Sequence, residues 1–387
     1  MVIRIEAAKK RSIYGDEEEV GGWNVNKAVG SVLGCVFVVM PHLCVHINSA
    51  ALLLSPRMVM LLSGPRVFAM TDTSESSIHF VTLGMFIIDQ IHFPASGRVV
   101  DNIIGGAGTF GIIGARLFSP PPKLSRTIGW IVDVGNDFPD DIKLELKRWG
   151  TSLVLRETPE RKTTRGWNSY GPADFRSFKY LTPKLRLAPD DFANTPLINS
   201  LSFHLICSPN RCRDIINTLS SLRSFRKEPV LIWEPVPNLC TPEELPACLE
   251  VLKLVSVVSP NAAELGGFYG LSESEAEKKV SIETNAEKWY VSGIGLRRNG
   301  PIIVRAGKGG CYIRYSEGGK WLPAYFDEEH NSRVVDPTGG GNCFIGGLAI
   351  GLVRTGDIIL AAAYATVAAS FAIEQIAYFY GQHEQDF

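Results

Sequence analysis

This chain lacks most of the features that mark nucleic-acid binding, a zinc site or a disulfide scaffold. Its 39 Lys and Arg are balanced by 40 Asp and Glu, for a net charge of −1, and no run of five basic residues occurs. A phosphate backbone requires a concentrated basic surface, so no nucleic-acid partner is expected. Eight cysteines in 387 residues are too few for a disulfide framework. The closest pair, Cys207 and Cys212 in "CSPNRC", has no second Cys or His pair nearby, and none of the seven histidines forms HExxH. Unpaired thiols of this kind fit a reducing, cytoplasmic setting. A Walker A GxxxxGK[ST] is absent, which removes P-loop chemistry. Internal repeats are absent too, and "SPPP" (119–122) is the one biased tract, a turn or short linker.

What is present divides in two. Residues 1–77 form an atypical N-terminal extension, with a small acidic cluster at Glu17, Glu18 and Glu19 that reads as a solvated face. Between Lys27 and Arg57 there is no Asp, Glu, Lys or Arg. The stretch 28–56 is long enough to cross a bilayer, which needs about 20 apolar residues. However, Pro41, His42, His46 and Asn48 interrupt it, and such groups are costly in hydrocarbon. It also starts too far from Met1 for a signal peptide. Three readings stay open: a membrane anchor, a poorly ordered extension, or a natural start at Met70 that leaves the extension untranslated. The breaks in hydropathy weigh against the anchor, so no membrane partner is expected.

From residue 78 strand-like and helix-like stretches alternate. "IHFVTLGMFIID" (78–89) has the pattern of one buried strand, "TFGIIGARLF" (109–118) suits a helix, and "TIGWIVDVG" (127–135) a strand. "DDIKLELKRWG" (140–150) is a helix stopped by Gly150. "TSLVLRET", "LSFHLICSP", "PVLIWEP", "LVSVVSP" and "PIIVRAG" follow as short apolar runs. "TPEELPACLEVLKL" reads as a helix with Thr241 as N-cap, and an Ala-rich helix starting at Asp357 closes the chain. Such alternation predicts an α/β domain over 78–387, with a parallel sheet covered on both faces and a site beyond the carboxyl ends of its strands. Two polar, aromatic segments break the pattern, about 90–102 and 163–183, and suit small β-structures projecting from the sheet.

Two glycine constellations compete for the site. "GAGTFG" (106–111) matches GxGxxG, follows "VVDNII", opens a helix and has Asp133 some way downstream. By itself this suggests a dinucleotide-binding fold and an NAD-dependent oxidoreductase. The second set is spread more widely. Asp89 ends the first strand, and Gly105, Gly106 and Gly108 open the first helix. Asn261 and Glu264 follow a later strand in "SPNAAEL", Gly307, Gly309 and Gly310 the next in "RAGKGG", and "DPTGGGN" comes last.

This ordered set resembles the ribokinase family, also called the phosphofructokinase B (PfkB) family of sugar and nucleoside kinases, over 78 to about 380. The pairing of "TTRGWNSYG" with "DPTGGGN" resembles its fungal maintenance-of-killer-like branch. The resemblance implies a ribokinase-like parallel-sheet sandwich with helices on both faces and a small β lid drawn from 90–102 and 163–183. It implies ATP and Mg2+ as cofactors, with a monovalent cation near Asp336, and a sugar or nucleoside-like substrate bound by a monomer or homodimer. By the same resemblance Asp89 grips substrate hydroxyls, a role that two carboxylate oxygens suit. Gly105, Gly106 and Gly108 bring backbone to the substrate, although Ala107 and Phe110 stand where ribokinases carry a Lys and an Asn. Ribose itself is therefore doubtful, and a less polar substrate is favoured. Asn261 and Glu264 order magnesium through water, as oxygen donors suit a hard cation. Gly307, Gly310 and Thr338 face the nucleotide, and the small residues of 361–369 leave room for adenine. Gly339, Gly340 and Gly341 make an anion hole at a helix start.

At position 342 the family's working kinases carry an Asp that takes the proton of the attacking hydroxyl; here it is Asn342. A neutral amide cannot accept that proton. Base assistance is typically worth about 10²–10⁴ in rate. Phosphoryl transfer depends mainly on positioning and charge stabilisation, so a slowed kinase and a silent pseudokinase acting by binding or regulation both remain open.

Overall fold

The computed structural model describes residues 77–170, 176–225 and 227–375. The apolar stretch 28–56 and the alternative start at Met70 lie outside them. Among the described residues no helix is long and apolar enough to cross a membrane.

Short runs rich in β-branched and aromatic residues become the strands, because such side chains pack well on a pleated surface. Seven of them form a parallel array: β1 (Phe80–Thr82), β4 (Ile128–Val134), β5 (Ser152–Glu157), β8 (Ser202–Ile206), β9 (Val230–Glu234), β10 (Val257–Val258) and β11 (Ile302–Arg305). An antiparallel hairpin, β12 (Cys311–Tyr315) and β13 (Gly318–Leu322), extends one edge. The full order is β13-β12-β11-β10-β9-β8-β1-β4-β5.

Both faces of this sheet are apolar, as the near-continuous hydrophobic strands require. Val81, Phe203, Trp233, Ile302 and Val304 face one core, and Phe80, Ile232, Val257 and Ile303 the other. The first core is closed by α3 (Pro209–Leu222), α4 (Leu245–Leu252), α5 (Ala262–Gly267) and α7 (Lys279–Ser292), with the short α6 (Glu273–Ala276) just before α7. The second is closed by α1 (Ala107–Leu117), α2 (Asp140–Arg148), α8 (Gly340–Thr355) and α9 (Ile358–Ile373). Helix starts follow local chemistry. Asp357 accepts from the N–H groups of Ile359 and Leu360 at 2.8 and 3.0 Å, capping α9.

A second sheet holds four strands in the order β3-β2-β6-β7: β2 (Ile87–Phe93), β3 (Arg98–Gly105), β6 (Arg165–Tyr170) and β7 (Arg176–Tyr180). Both segments that break the αβ alternation contribute to it, but it begins earlier than expected, at Ile87. The stretch 78–89 is accordingly two strands in two sheets, not one. Both halves are buried, so the apolar run is continuous although the chain changes sheet near Gly84. The helix expected from Thr241 is also corrected. Pro242–Glu244 is a 3-10 turn, and the α-helix starts only at Leu245.

Helices α1 and α8 cross in backbone contact. A Cβ on Gly346 would stand 2.0 Å from the Gly111 carbonyl oxygen, and one on Gly114 would stand 2.1 Å from that of Cys343. The crossing fixes the start of α8 relative to α1, and both carry glycines of the candidate site. Gly346→Ala should therefore overpack the contact and destabilise the chain by about 1–3 kcal/mol, read as a lower thermal midpoint.

Candidate active site

Asn261, Glu264, Gly307 and Gly310 follow the carboxyl ends of the parallel strands β10 and β11, and Asp89 belongs to the second sheet. Asp89 lies on β2, directly opposite Gly166 of β6. Its carboxylate rests in a slot between two glycines. A Cβ on Gly105 would come within 2.0 Å of Oδ2, and one on Gly166 within 2.3 Å of Oδ1. Oδ1 is buried without a hydrogen-bond partner. Burial raises the Asp89 pKa from 3.8 to about 7, against a smaller opposing pull from the Asn168 side chain. A folded-state pKa above the unfolded one stabilises the fold at low pH, and that contribution is lost as pH rises through about 7. The thermal midpoint should therefore fall between about pH 5 and 8, and Asp89→Asn should flatten the fall.

Gly105, Gly106 and Gly108 lead from this slot into α1. Gly106 has φ +93°, and the Gly108 N–H donates to the Met85 carbonyl at 3.0 Å. A Cβ on Gly108 would lie 2.2 Å from the Gly84 oxygen, so these glycines seat α1 against the link between β1 and β2. Two residues on, Phe110 is buried against Gly339, where a Cβ would stand 2.2 Å from its ring. Phe110, which stands where ribokinases carry a polar residue, packs on the start of α8. The first and last glycine motifs thus touch.

The loop into α8 is set by Asp336. Its Oδ1 accepts from the Thr338 N–H at 2.8 Å, while its own N–H donates to the Ile373 carbonyl at 3.1 Å. Gly339 then takes a left-handed conformation (φ +81°) as the residue before the helix. Gly340, Gly341 and Asn342 are its first three residues, and the Asn342 Oδ1 is buried without a partner. Gly307 and Gly310 form the tight turn between β11 and β12, both at positive φ, closed by an Ala306 N–H to Gly310 carbonyl bond of 2.8 Å.

Asn261 and Glu264 are placed together, but they face each other. The Glu264 N–H donates to Asn261 Oδ1 at 2.7 Å, and the Asn261 N–H to Glu264 Oε2 at 2.8 Å, a reciprocal cap on α5. Arg305 Nη2 also lies 3.2 Å from Glu264 Oε2. Among the described residues no group of three or more His, Cys, Asp or Glu could hold a metal ion. With Asn261 Oδ1 and Glu264 Oε2 engaged in the cap and a guanidinium at contact distance, the pair does not fit direct Mg2+ ligation.

Sequence reasoning missed the charged chain beneath these loops. Arg305 Nη1 is 2.7 Å from Glu234 Oε1, and Glu234 Oε2 is 3.0 Å from His204 Nε2. His204 Nδ1 is 3.1 Å from Thr82 Oγ1, which also accepts from the Gly84 N–H at 2.9 Å. Burial disfavours the Glu234 carboxylate, but Arg305 and His204 outweigh it and hold its pKa below the usual value. Glu264 is pushed up to about 7 by burial, with Arg305 opposing and Glu234 reinforcing. The available signal was a charged residue ending a buried strand, in "LIWE" and "IIVR".

The dinucleotide reading of "GAGTFG" is overturned by topology. The strand before it, β3, pairs antiparallel with β2 in the small sheet, while β4 after α1 lies in the large sheet. A dinucleotide fingerprint needs both strands parallel in one sheet. Asp133 is instead paired with Arg156 at 2.5 Å.

A family model described as pfkB family carbohydrate kinase matches residues 123–378. The protein MAK32 of Saccharomyces cerevisiae is 36% identical over 318 residues, covering 79% of this chain and 86% of that protein. Two solved structures share the fold. An adenosine kinase from Schistosoma mansoni in complex with 2-fluoroadenosine aligns at TM-score 0.62 and 14% identity, over 79% of this chain and 98% of the other. A ribokinase II from Escherichia coli in complex with ATP and Mg2+ aligns at TM-score 0.55 and 19% identity, over 77% and 93%.

Proposed function

Because the chain belongs to the pfkB family of carbohydrate kinases, we propose that it binds ATP and transfers its terminal phosphoryl group, slowly, to a hydroxyl of a sugar or nucleoside-like molecule. One observation carries this reading. The buried, half-unpartnered Asp89 carboxylate sits on the glycine turn that starts α1, and Phe110 of that turn rests on Gly339 at the start of α8. An acceptor hydroxyl held by Asp89 and a phosphate held at 339–341 would then be neighbours.

Asp89 would accept hydrogen bonds from substrate hydroxyls and orient one of them. The backbone N–H groups of 339–341, with the positive end of the α8 dipole, would receive the charge gathering on the transferred phosphoryl group. Gly307, Gly310 and Thr338 would line the nucleotide. The acceptor oxygen forms its bond to phosphorus as the bond to the bridging oxygen breaks and ADP leaves. The hydroxyl proton, with no carboxylate at 342, passes to water or to the phosphate. PfkB kinases in general use ATP and Mg2+.

A second reading, a pseudokinase that binds nucleotide without turnover, is favoured by Asn342 at the base position. Labelled ATP, the full chain and a fungal metabolite extract separate the two. A labelled small molecule supports the kinase. ATP binding with no label above background supports the pseudokinase, and no ATP binding at all sinks both.

A further inference from the structure

One cluster is left over by the kinase reading. Arg305 ends β11 with its side chain only 12% exposed, between two carboxylates of 6% and 5% exposure, Glu234 and Glu264. Its Nη2 also donates to the Ser259 carbonyl at 3.1 Å, while its Nε is buried without a partner. The guanidinium lies directly against the start of α8: a Cβ on Gly341 would stand 2.1 Å from Nη1, and Glu234 Oε1 would be 3.8 Å away. Glycine at 341 thus lets a fixed positive charge reach the helix start that would hold phosphate. The one guanidinium is shared by both acidic side chains there and offsets one negative charge between them. A divalent ion approaching Glu264 would meet the guanidinium at contact distance and be repelled.

We propose that Arg305 takes, beside Glu264, the place that a divalent cation would otherwise have, so that this chain binds a nucleotide's phosphates without needing divalent metal. The inference rests on the nucleotide-binding reading above. Guanidinium is suited to the task, being permanently charged, less strongly hydrated than ammonium and able to serve two carboxylates at once. The unpartnered Nε and the unpartnered Asn342 Oδ1 are polar atoms of the same region that no protein group satisfies.

The test is calorimetric titration of the full chain with ATP and with ADP, once in EDTA and once in excess magnesium chloride. The two dissociation constants are expected to agree within about threefold. Arg305→Met should weaken ATP binding by about tenfold or more in EDTA, with part of the loss recovered by magnesium once the carboxylates are free. Wild-type ATP binding that falls by about tenfold or more in EDTA would overturn the inference while leaving the nucleotide site intact. Arg305→Met that binds as tightly as wild type in EDTA would overturn it too. Absence of binding in both buffers would remove the nucleotide reading and this inference with it. A further measurement needs no variant: Mn2+ titration of the nucleotide-free chain, followed by electron paramagnetic resonance. No tight site is expected, and one Mn2+ per chain displaced by Mg2+ would sink the idea.

Discussion

Asn342→Asp should transfer phosphate from ATP about 10²–10⁴ times faster than the natural sequence, the range typical of general-base assistance. That corresponds to about 3–6 kcal/mol of barrier. The substitution is nearly isosteric, so packing around the helix start is kept. Asn342 Oδ1 has no hydrogen-bond partner, so exchanging the amide for a carboxylate breaks no bond to that oxygen. Position 342 is the third residue of α8, where a negative charge is stabilised by the helix dipole by about 0.3–1 kcal/mol. An Asp there should thus be ionised near neutral pH and able to accept a proton. The measurement is the rate with labelled ATP and a common acceptor, for both proteins, across pH. An equal rate in both would mean that proton transfer never limited turnover. Silence from both, with ATP bound, would place the defect on the acceptor side and favour the pseudokinase.

The reason the site could be read so far in the sequence is that its parts are backbone devices with local signatures. A side chain at 106 or 108 would meet other backbone, one at 339 the Phe110 ring, and one at 105, 340 or 341 the side chains of Asp89, Ile373 or Arg305. The N-x-x-E spacing of Asn261 and Glu264 is visible because a reciprocal cap spans one helical turn. The same spacing says nothing of Arg305, which comes from strand β11 and stands 3.2 Å from Glu264 Oε2. What stayed hidden was non-local. Thr82, His204, Glu234 and Arg305 come from four strands, and each alone reads as a stray polar residue in an apolar run. Likewise Gly166 is one of two glycines in the loop-like segment 163–183 until β6 is laid beside Asp89. Strand pairing, not pattern, creates both relationships. The split of 78–89 between two sheets failed for a related reason, because apolar periodicity reports burial and not which sheet does the burying.

Arg305→Met should cost the fold about 3–5 kcal/mol, the usual effect of removing one partner from a buried ion pair. For a domain of this size that is an apparent thermal midpoint lower by about 6–15 °C. The loss does not come from missing attraction alone. Methionine fills much of the space, but it leaves Glu234 and Glu264 buried, close together and uncompensated. Burial and mutual repulsion already raise Glu264 to about 7 with Arg305 present. Without the guanidinium Glu264 should titrate higher still, and Glu234 should lose the partner that holds it below its usual value. A raised folded-state pKa stabilises below the unfolded value and loses that contribution as pH rises through the folded one, so the deficit should be larger near pH 8 than near pH 6. The compensated variant Arg305→Met, Glu234→Gln, Glu264→Gln removes the buried charges together and should regain most of the midpoint, since neutral replacement of a whole buried cluster is often tolerated. Thermal unfolding of the single and triple variants at both pH values decides the matter. A single variant within about 1 kcal/mol of wild type would show that water reaches these carboxylates and screens them, as it does for exposed pairs. The guanidinium would then be ornamental to the fold, and its claim to stand in for a metal ion would lose its structural basis.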